Sequence, residues 1–526
     1  MTSTSRILSP KSLYFVVFIS GMTSLGLEMA ASRLLGNVFG SSNLVWASII
    51  GLILIYLTVG YFVGGRLADR HPDPALFCKI LIFAGFSGVI IPVIAQPILR
   101  FAADAFDLLN LGVLAGSFVS VMVLMLLPMI LLGTASPFAI RLSMDDTASA
   151  GQVSGKIYAI STLGSFIGTF LPSLILIPLI GTYRTFVLFG TILIAIALFF
   201  LLKLQGWRRS WLFLAIFVVS SVLLIVGPLG RIKQSAGQVF EGESAYNYIQ
   251  VLQQDGYYML RLNEGQGVHS VYKADQDNFF GPWEQFLVGP FFNDPPFAVQ
   301  EVKSIGIVGL AAGTTARAAT HVFGDIPIDG WEIDPQIINV GQKYFAMNEP
   351  NLHVYAQDGR WGLEKSSRKY SLIAIDAYRP PYIPPHLTTV EFFRIVYDHL
   401  DENGSVVINV GRSLNDRRLI DDMTATIKQV FPSVYVMDLP DTFNSMIFAT
   451  RKPTRESNLL QNFIQLSQQP ETSSLLLETM QISIANLQEV PDTGTVYTDD
   501  LAPIEWVTNT MVLNFILSDD VSTLQE

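Results

Sequence analysis

Four short stretches between residues 304 and 376 carry side chains suited to hold and react with a nucleoside. Ser304-Ile-Gly-Ile-Val-Gly309-Leu-Ala-Ala-Gly313-Thr-Thr315 is a hydrophobic strand running into a glycine-rich turn and then a helix. Small residues in such a turn let backbone approach a nucleoside, as they do in the crevice of open α/β sheets. Alone the pattern is weak, because many strand-to-helix turns use glycine for geometry only. About 20 residues on, Trp331-Glu332-Ile333-Asp334 closes the next strand, the distance at which an acid can accept both hydrogen bonds of a ribose diol. Gln357-Asp358-Gly359-Arg360 then offers an acid on a loop where an adenine amino group could be read, and Asp376 ends another apolar strand. Four such elements in order are much less expected by chance than one.

The elements around them alternate strand, turn, helix, strand, helix from Lys303 onward, the pattern of a parallel α/β sheet. Strands are expected at 304–308, 326–331, 372–375 and 405–409. Ahead of them, 246–253 and 257–263 read as a hairpin around Asp255-Gly256, with 268–273 as a further strand. No internal repeat stands out, and the polar stretch 457–474 reads as a loop or a helix surface.

The first part of the chain is of another kind. Half of the 526 residues are hydrophobic and only 15% are charged, too apolar for an ordinary soluble enzyme throughout. Up to Gly230 there are 13 Lys+Arg and 7 Asp+Glu, leaving 20 and 37 downstream. The second half is therefore strongly acidic, which suits a cationic ligand at least as well as an anionic one, and simple solubility best of all. No basic stripe points to nucleic acid. The single cysteine, Cys78, lies in a hydrophobic segment and makes neither a disulfide framework nor a thiol metal site; His269 and His386 lack a third ligand, so no metal is expected. Seven segments approach the ~20 apolar residues a membrane-spanning helix needs: 13–35, 44–64, 80–99, 113–140, 157–180, 186–202 and 211–227. Lys and Arg collect in alternate loops, which the positive-inside rule places in the cytoplasm. Seven crossings would then put the acidic half outside. A re-entrant first segment or an eighth crossing near 101–112 would return it to the cytoplasm, the side preferred here. Glu28 and Arg33, inside or at the end of the first span, either line a polar pathway or fix the bundle by pairing.

With these residues in hand, 303–411 resembles the polyamine aminopropyltransferase (spermidine synthase) family. The resemblance rests on Gly309-Leu-Ala-Ala-Gly313-Thr, Trp331-Glu332-Ile333-Asp334, Asp358-Gly359, Asp376-Ala-Tyr378-Arg379-Pro380 and Glu391-Phe392-Phe393. It implies that Glu332 holds the ribose, Asp358 the adenine, and that Asp376 is the base that deprotonates the attacking amine. Ser244-Ala-Tyr246-Asn247-Tyr-Ile249 stands where the family has Tyr-Gln-x-Ile, and His269 lies one residue from the family's substrate-side Gln. The whole chain is similar to a bacterial group that fuses a membrane bundle to this domain, judged by Glu28 and Arg33, Gly64-Gly-Arg-Leu-Ala-Asp-Arg70, Asn263-Glu-Gly, Ile383-Pro-Pro-His-Leu-Thr-Thr and Thr498-Asp499-Asp500-Leu-Ala-Pro503-Ile-Glu505.

The departures fall where that family handles amines. Ala312 replaces an Asp of the glycine-rich turn, Arg379 replaces the second Asp of Asp-Ser-Ser-Asp, and Trp283-Glu284 replaces Tyr-His-Glu. An arginine facing an ammonium would repel it and would instead suit a carboxylate, unless it turns to solvent. Asp499, Asp500 and Glu505 either fold back to supply acids or, the preferred reading, cap a helix near Pro503.

The expected architecture is an α-helical transmembrane bundle (1–230), a small β-hairpin subdomain (231–300), a Rossmann-like, methyltransferase-type α/β domain (301–455) and a C-terminal helical or loop extension (456–526). The expected function is aminopropyl transfer from decarboxylated S-adenosylmethionine to an amine, releasing methylthioadenosine. Cleavage of intact S-adenosylmethionine to methylthioadenosine and homoserine lactone, or a nucleoside- or polyamine-sensing transporter, are the alternatives. Expected partners are membrane lipid and a small-molecule substrate, without nucleic acid or prosthetic group. A homodimer is allowed, and the location is the bacterial plasma membrane.

Overall fold

The computed structural model describes residues 9–39, 43–109, 112–144, 150–227, 235–263, 267–377, 383–413 and 416–517. Contacts divide the chain into two units, Met1–Gln234 with Gly242–Tyr248 and Ser235–Glu241 with Ile249–Glu526.

The first unit is helical: α1 (Pro10–Phe39), α2 (Asn43–Arg70), α3 (Pro74–Leu109), α4 (Gly112–Gly133), α5 (Ala135–Ser143), α6 (Ala150–Leu171), α7 (Ile177–Gln205) and α8 (Trp211–Val226). Among the described residues five helical stretches are long and apolar enough to cross a membrane, where the sequence suggests seven segments. The difference has two sources. Residues 150–205 run as one 56-residue stretch, broken by a π turn at Pro172–Leu176 and by non-helical Gly181 (φ 80°, ψ 167°). α8 has only 16 residues, about 24 Å at the 1.5 Å rise of a helix. Large apolar side chains face outward, among them Phe62, Leu163, Phe166, Leu174 and Ile225, a surface that favours acyl chains over water. Inside, small residues bring backbones together. A Cβ on Gly164 would lie 2.0 Å from the Phe18 carbonyl oxygen, and one on Gly168 2.2 Å from that of Met22, so α1 and α6 touch main chain to main chain. Gly60 with Gly133 and Gly85 with Gly190 do the same for α2–α4 and α3–α7. Arg33 donates to the Ser244 and Tyr246 carbonyls at 2.8 and 3.1 Å, and Asp69 pairs with Arg141 at 3.4 Å.

The second unit holds two sheets. β1 (Gln238–Glu243), β2 (Tyr248–Gln254), β3 (Tyr257–Leu262) and β4 (Val268–Tyr272) form the first, in that order, with the tip of the β1–β2 hairpin grouped with the helical unit. Asp255 and Gly256 turn β2 into β3 with φ of 51° and 84°, the paired positive φ that a two-residue hairpin loop demands. Ile249, Val251 and Leu260 pack this sheet on Ile337 and Val340.

The larger sheet contains β5 (Ile305–Val308), β6 (Ile328–Glu332), β7 (Leu352–Ala356), β8 (Tyr370–Ile375), β9 (Leu400–Gly411), β10 (Ser433–Asp438), β11 (Asn444–Thr450) and β12 (Leu487–Gln488). Its order is β12-β10-β11-β9-β8-β5-β6-β7, parallel from β9 to β7 and antiparallel beyond. Short α9 (Pro282–Gln285) precedes it, and α10 (Thr314–Phe323), α11 (Pro335–Tyr344), α12 (Gly359–Lys365), α13 (Val390–His399), α14 (Arg418–Ile427), α15 (Ser457–Leu466), α16 (Ser474–Ala485) and α17 (Ile504–Leu517) accompany it. Alternation sends Ile305, Ile307, Leu372 and Ala374 to one face, against α10, α15 and α16. Val308, Ile373, Ile375 and Ile408 go to the other, against α13, α14 and α17. The region 456–517 is thus built into the sheet and its layers, α15 and α16 covering one face and β12 extending the edge. From β5 the chain builds outward to β6 and β7, then crosses back to β8 on the other side of β5. Such a reversal leaves a crevice at the carboxyl ends of β5 and β8, where ligands of open α/β sheets bind.

Candidate active site

The turn after β5 fills the mouth of that crevice. Gly309 has φ +86°, and a Cβ there would stand 2.4 Å from the Ala377 nitrogen, so only glycine lets the ends of β5 and β8 approach. Gly313, φ +85°, starts α10 against Met347. Between them Ala311 is also left-handed, φ +49°, and its N–H donates to Glu332 Oε2 at 3.0 Å. Ala312 N–H donates to Ser270 Oγ at 2.9 Å, and Thr314 Oγ1 exchanges hydrogen bonds with the main chain of Val271. β4 therefore holds the turn from above.

Glu332 ends β6, buried, with Asp334 N–H donating to its second oxygen at 3.0 Å. Burial pushes its carboxyl up to about 7, against the pull of the Asp334, Ala311 and Ile333 amides. Each oxygen accepts from at least one backbone amide, which fixes the carboxylate's orientation at the strand end. Gln357 N–H donates to the Glu332 carbonyl at 3.0 Å and sets Asp358 beside this strand end. Asp358 caps α12 by accepting from Trp361 N–H at 2.9 Å, and His386 Nε2 lies 2.9 Å from its other oxygen. The His386 hydrogen bond holds the Asp358 carboxyl below the usual carboxylate range. A Cβ on Gly359 would meet Val308 at 2.5 Å, so α12 starts flush against the end of β5.

Asp376 follows β8. Its N–H donates to the Val308 carbonyl at 2.8 Å, and its Oδ1 accepts from Asn409 Nδ2 of β9 at 3.0 Å. Loss of water around the carboxyl pushes it up to about 7, with Asn409 pulling the other way. The fold thus collects Gly309, Gly313, Glu332, Asp358, Gly359 and Asp376 along one edge of the sheet. Asn247 sits in the Gly242–Tyr248 segment of the first unit, where its N–H donates to Ser244 Oγ at 2.9 Å. His269 is on β4, its carbonyl accepting from Trp283 Nε1 at 3.2 Å, while its neighbour Ser270 is the residue that meets the turn. Tyr378 and Arg379 lie outside the described residues. Glu284 is turned inward, taking the Phe279 and Gly281 amides at 3.0 and 3.1 Å. Sequence reasoning missed Ser270, Asn409 and His386 as site residues. Asn409 closes a strand that the pattern does show, and only its pairing across to β8 reveals what it holds. Among the described residues no group of His, Cys, Asp and Glu could hold a metal ion.

Comparison with known proteins places this geometry. The spermine/spermidine synthase domain matches residues 297–462. The "Probable polyamine aminopropyl transferase" of Bifidobacterium longum is 30% identical over 329 residues, covering 59% of this chain and 72% of its own. The chain belongs to the polyamine aminopropyltransferase family. It is accordingly an enzyme of the transferase class. The polyamine aminopropyltransferase of Vibrio vulnificus is 27% identical over 257 residues, 47% of this chain and 81% of its own. A solved spermidine synthase from Thermotoga maritima superposes with a TM-score of 0.38 at 19% identity, covering 47% of this chain and 83% of its own.

Proposed function

We propose that the protein is a membrane-anchored aminopropyltransferase that takes decarboxylated S-adenosylmethionine as donor and an amine as acceptor. The observation that carries this reading is the placement of Asp376 at the carboxyl end of β8, braced by Asn409, with Glu332 across the glycine-rich turn. Glu332 would take the ribose diol and Asp358 the adenine amino group, leaving the sulfonium and its aminopropyl chain toward Asp376. The amine lone pair attacks the methylene beside the sulfonium. A carbon–nitrogen bond forms, the carbon–sulfur bond breaks, and its electron pair stays on sulfur, giving the neutral thioether methylthioadenosine. Asp376, ionised, takes the proton that the acceptor ammonium must give up before its lone pair is free to attack. Catalysis of this kind rests on positioning and on a base whose pKa is near the working pH. The outward apolar faces of α2, α6 and α8 support the anchor. Cleavage of intact S-adenosylmethionine rests on Ala312 in place of an acid and on Arg379, which lies outside the described residues; among the described residues no contact in the site favours it.

The test is to incubate the detergent-solubilised protein with decarboxylated or intact S-adenosylmethionine, with and without putrescine or spermidine, and follow methylthioadenosine by mass spectrometry. Product is expected only with the decarboxylated donor plus a polyamine, and not from Asp376→Asn. Product from the intact donor without acceptor would replace the reading with a lyase.

A further inference from the structure

Two features stand outside the mechanism above, His386 and the C-terminal acids around Asp499, and both converge on Asp358. With Oδ1 taken by the Trp361 amide, the free rotation of the Asp358 carboxylate is stopped by His386 Nε2 at Oδ2. A carboxylate can only accept, so Nε2 carries the hydrogen. His386 is tied in turn, its carbonyl accepting from Arg360 Nη1 at 2.9 Å. Arg360 grips Asp499 with two parallel hydrogen bonds of 2.7 Å each, the geometry in which arginine holds a carboxylate most firmly. Asp499 also accepts from Thr389 Oγ1 at 2.7 Å, and its N–H donates to Glu391 at 3.0 Å. The segment before it is pinned by Tyr497, whose hydroxyl donates to Asp422 at 2.7 Å and whose carbonyl accepts from Val390 N–H at 2.9 Å. A stretch more than a hundred residues downstream thus braces the loop that carries Asp358.

We propose that His386 is a positioning residue for the adenine end of the site, fixing the Asp358 carboxylate, and that the Arg360–Asp499 clamp fixes His386, so that selection of a 6-amino over a 6-oxo purine depends on both. The inference rests on the reading that Asp358 meets the base. The Trp361 amide and His386 each occupy one oxygen of the carboxylate, and the fixed rotation aims its remaining acceptor capacity at one place. An acceptor-only group there rewards the amino hydrogens of adenine and opposes the carbonyl oxygen of hypoxanthine. Sites built around such a hydrogen bond discriminate strongly against the analogue that cannot make it. Asp358 and His386 both keep part of their side-chain surface open, 35% and 46%, so a base can reach the pair.

The experiment compares 5′-methylthioadenosine and 5′-methylthioinosine binding to the full-length protein in detergent by calorimetry, for the wild type, His386→Ala, His386→Gln and Asp499→Asn. The wild type should prefer the adenosine form. His386→Ala should weaken it about tenfold, the usual cost of losing a hydrogen bond to a charged group, while leaving the inosine form nearly unchanged, so that the preference narrows. His386→Gln, whose amide can donate to Oδ2, should restore most of the preference, and Asp499→Asn should fall between. An unchanged preference in His386→Ala, or an equal loss for both nucleosides, overturns the inference alone. A wild type that binds neither nucleoside overturns the functional reading and the inference together.

Discussion

At the scale of single residues, the proposed base Asp376 shows how environment tunes a carboxyl. An aspartate in water is ionised above about pH 4 and is a poor base. Here burial brings it to about 7, with Asn409 limiting the shift by donating to the charged form. Ionisation is needed to accept the proton, so kcat for amine transfer should rise with pH through an acid limb near 7 and flatten above it. Asp376→Asn should lower kcat roughly 100-fold or more, the range for loss of a general base, with the donor KM nearly unchanged. Steady-state rates between pH 5.5 and 8.5 check both. A limb that stays at pH 4 to 5 would show that Asp376 is not the group being titrated.

At the scale of elements, the sheet and the bundle depend on close backbone approaches that leave no room for a side chain. Gly309 permits the meeting of β5 and β8, and Gly164 the contact of α6 with α1. Gly164→Val would drive branched carbons into the Phe18 carbonyl and separate the helices. Overpacking of this kind costs about 1 to 3 kcal/mol, so thermal unfolding in detergent should shift downward, while a valine at Gly151, which has open space around it, should leave the midpoint nearly unchanged. The strands were legible to different degrees. Expected 304–308 and 372–375 fall within a residue or two of β5 and β8, because these are short apolar runs buried on both faces. β7 went unseen because it is an edge strand with mixed exposure along Leu352–Ala356. β10 and β11 carry buried apolar runs of the same kind as β5 and β8, at 434–437 and 446–449, which the sequence reading leaves unassigned. β12 is two residues long and is a strand only beside β10.

For the molecule as a whole, Glu284, Glu332 and Asp376 are each pushed by burial to about 7. Unfolded, all three would titrate near 4. Between these values the folded chain keeps protons that the unfolded chain has released, so the stabilisation is fully present below about pH 4 and is lost as pH rises through 7. Asp358 and Asp499, shifted the other way by His386 and Arg360, lose their contribution only as pH falls below the ordinary carboxylate range, outside this window. The ligand-free protein in detergent should therefore unfold at lower temperature at pH 8 than at pH 5.5. Glu284→Gln, which removes one of the three titrations away from the proposed reaction, should make that slope shallower, as calorimetry across the pH range would read directly.

What the sequence determined by itself is what local pattern can encode. Hydropathy separated an apolar helical part from an acidic α/β part, and the motifs around Gly309, Glu332, Asp358 and Asp376 carried the resemblance to the family. What only the tertiary structure decided is what depends on partners remote in the chain: that Asn409 holds Asp376, that Ser270 meets the turn, that Glu284 serves the backbone, and that Asp499 folds back onto Arg360 instead of capping α17. A carboxylate's role follows from which donors surround it and how much water it keeps. Donors set by the sheet order β9-β8-β5-β6 and by a returning C-terminal segment leave no periodic trace in the sequence.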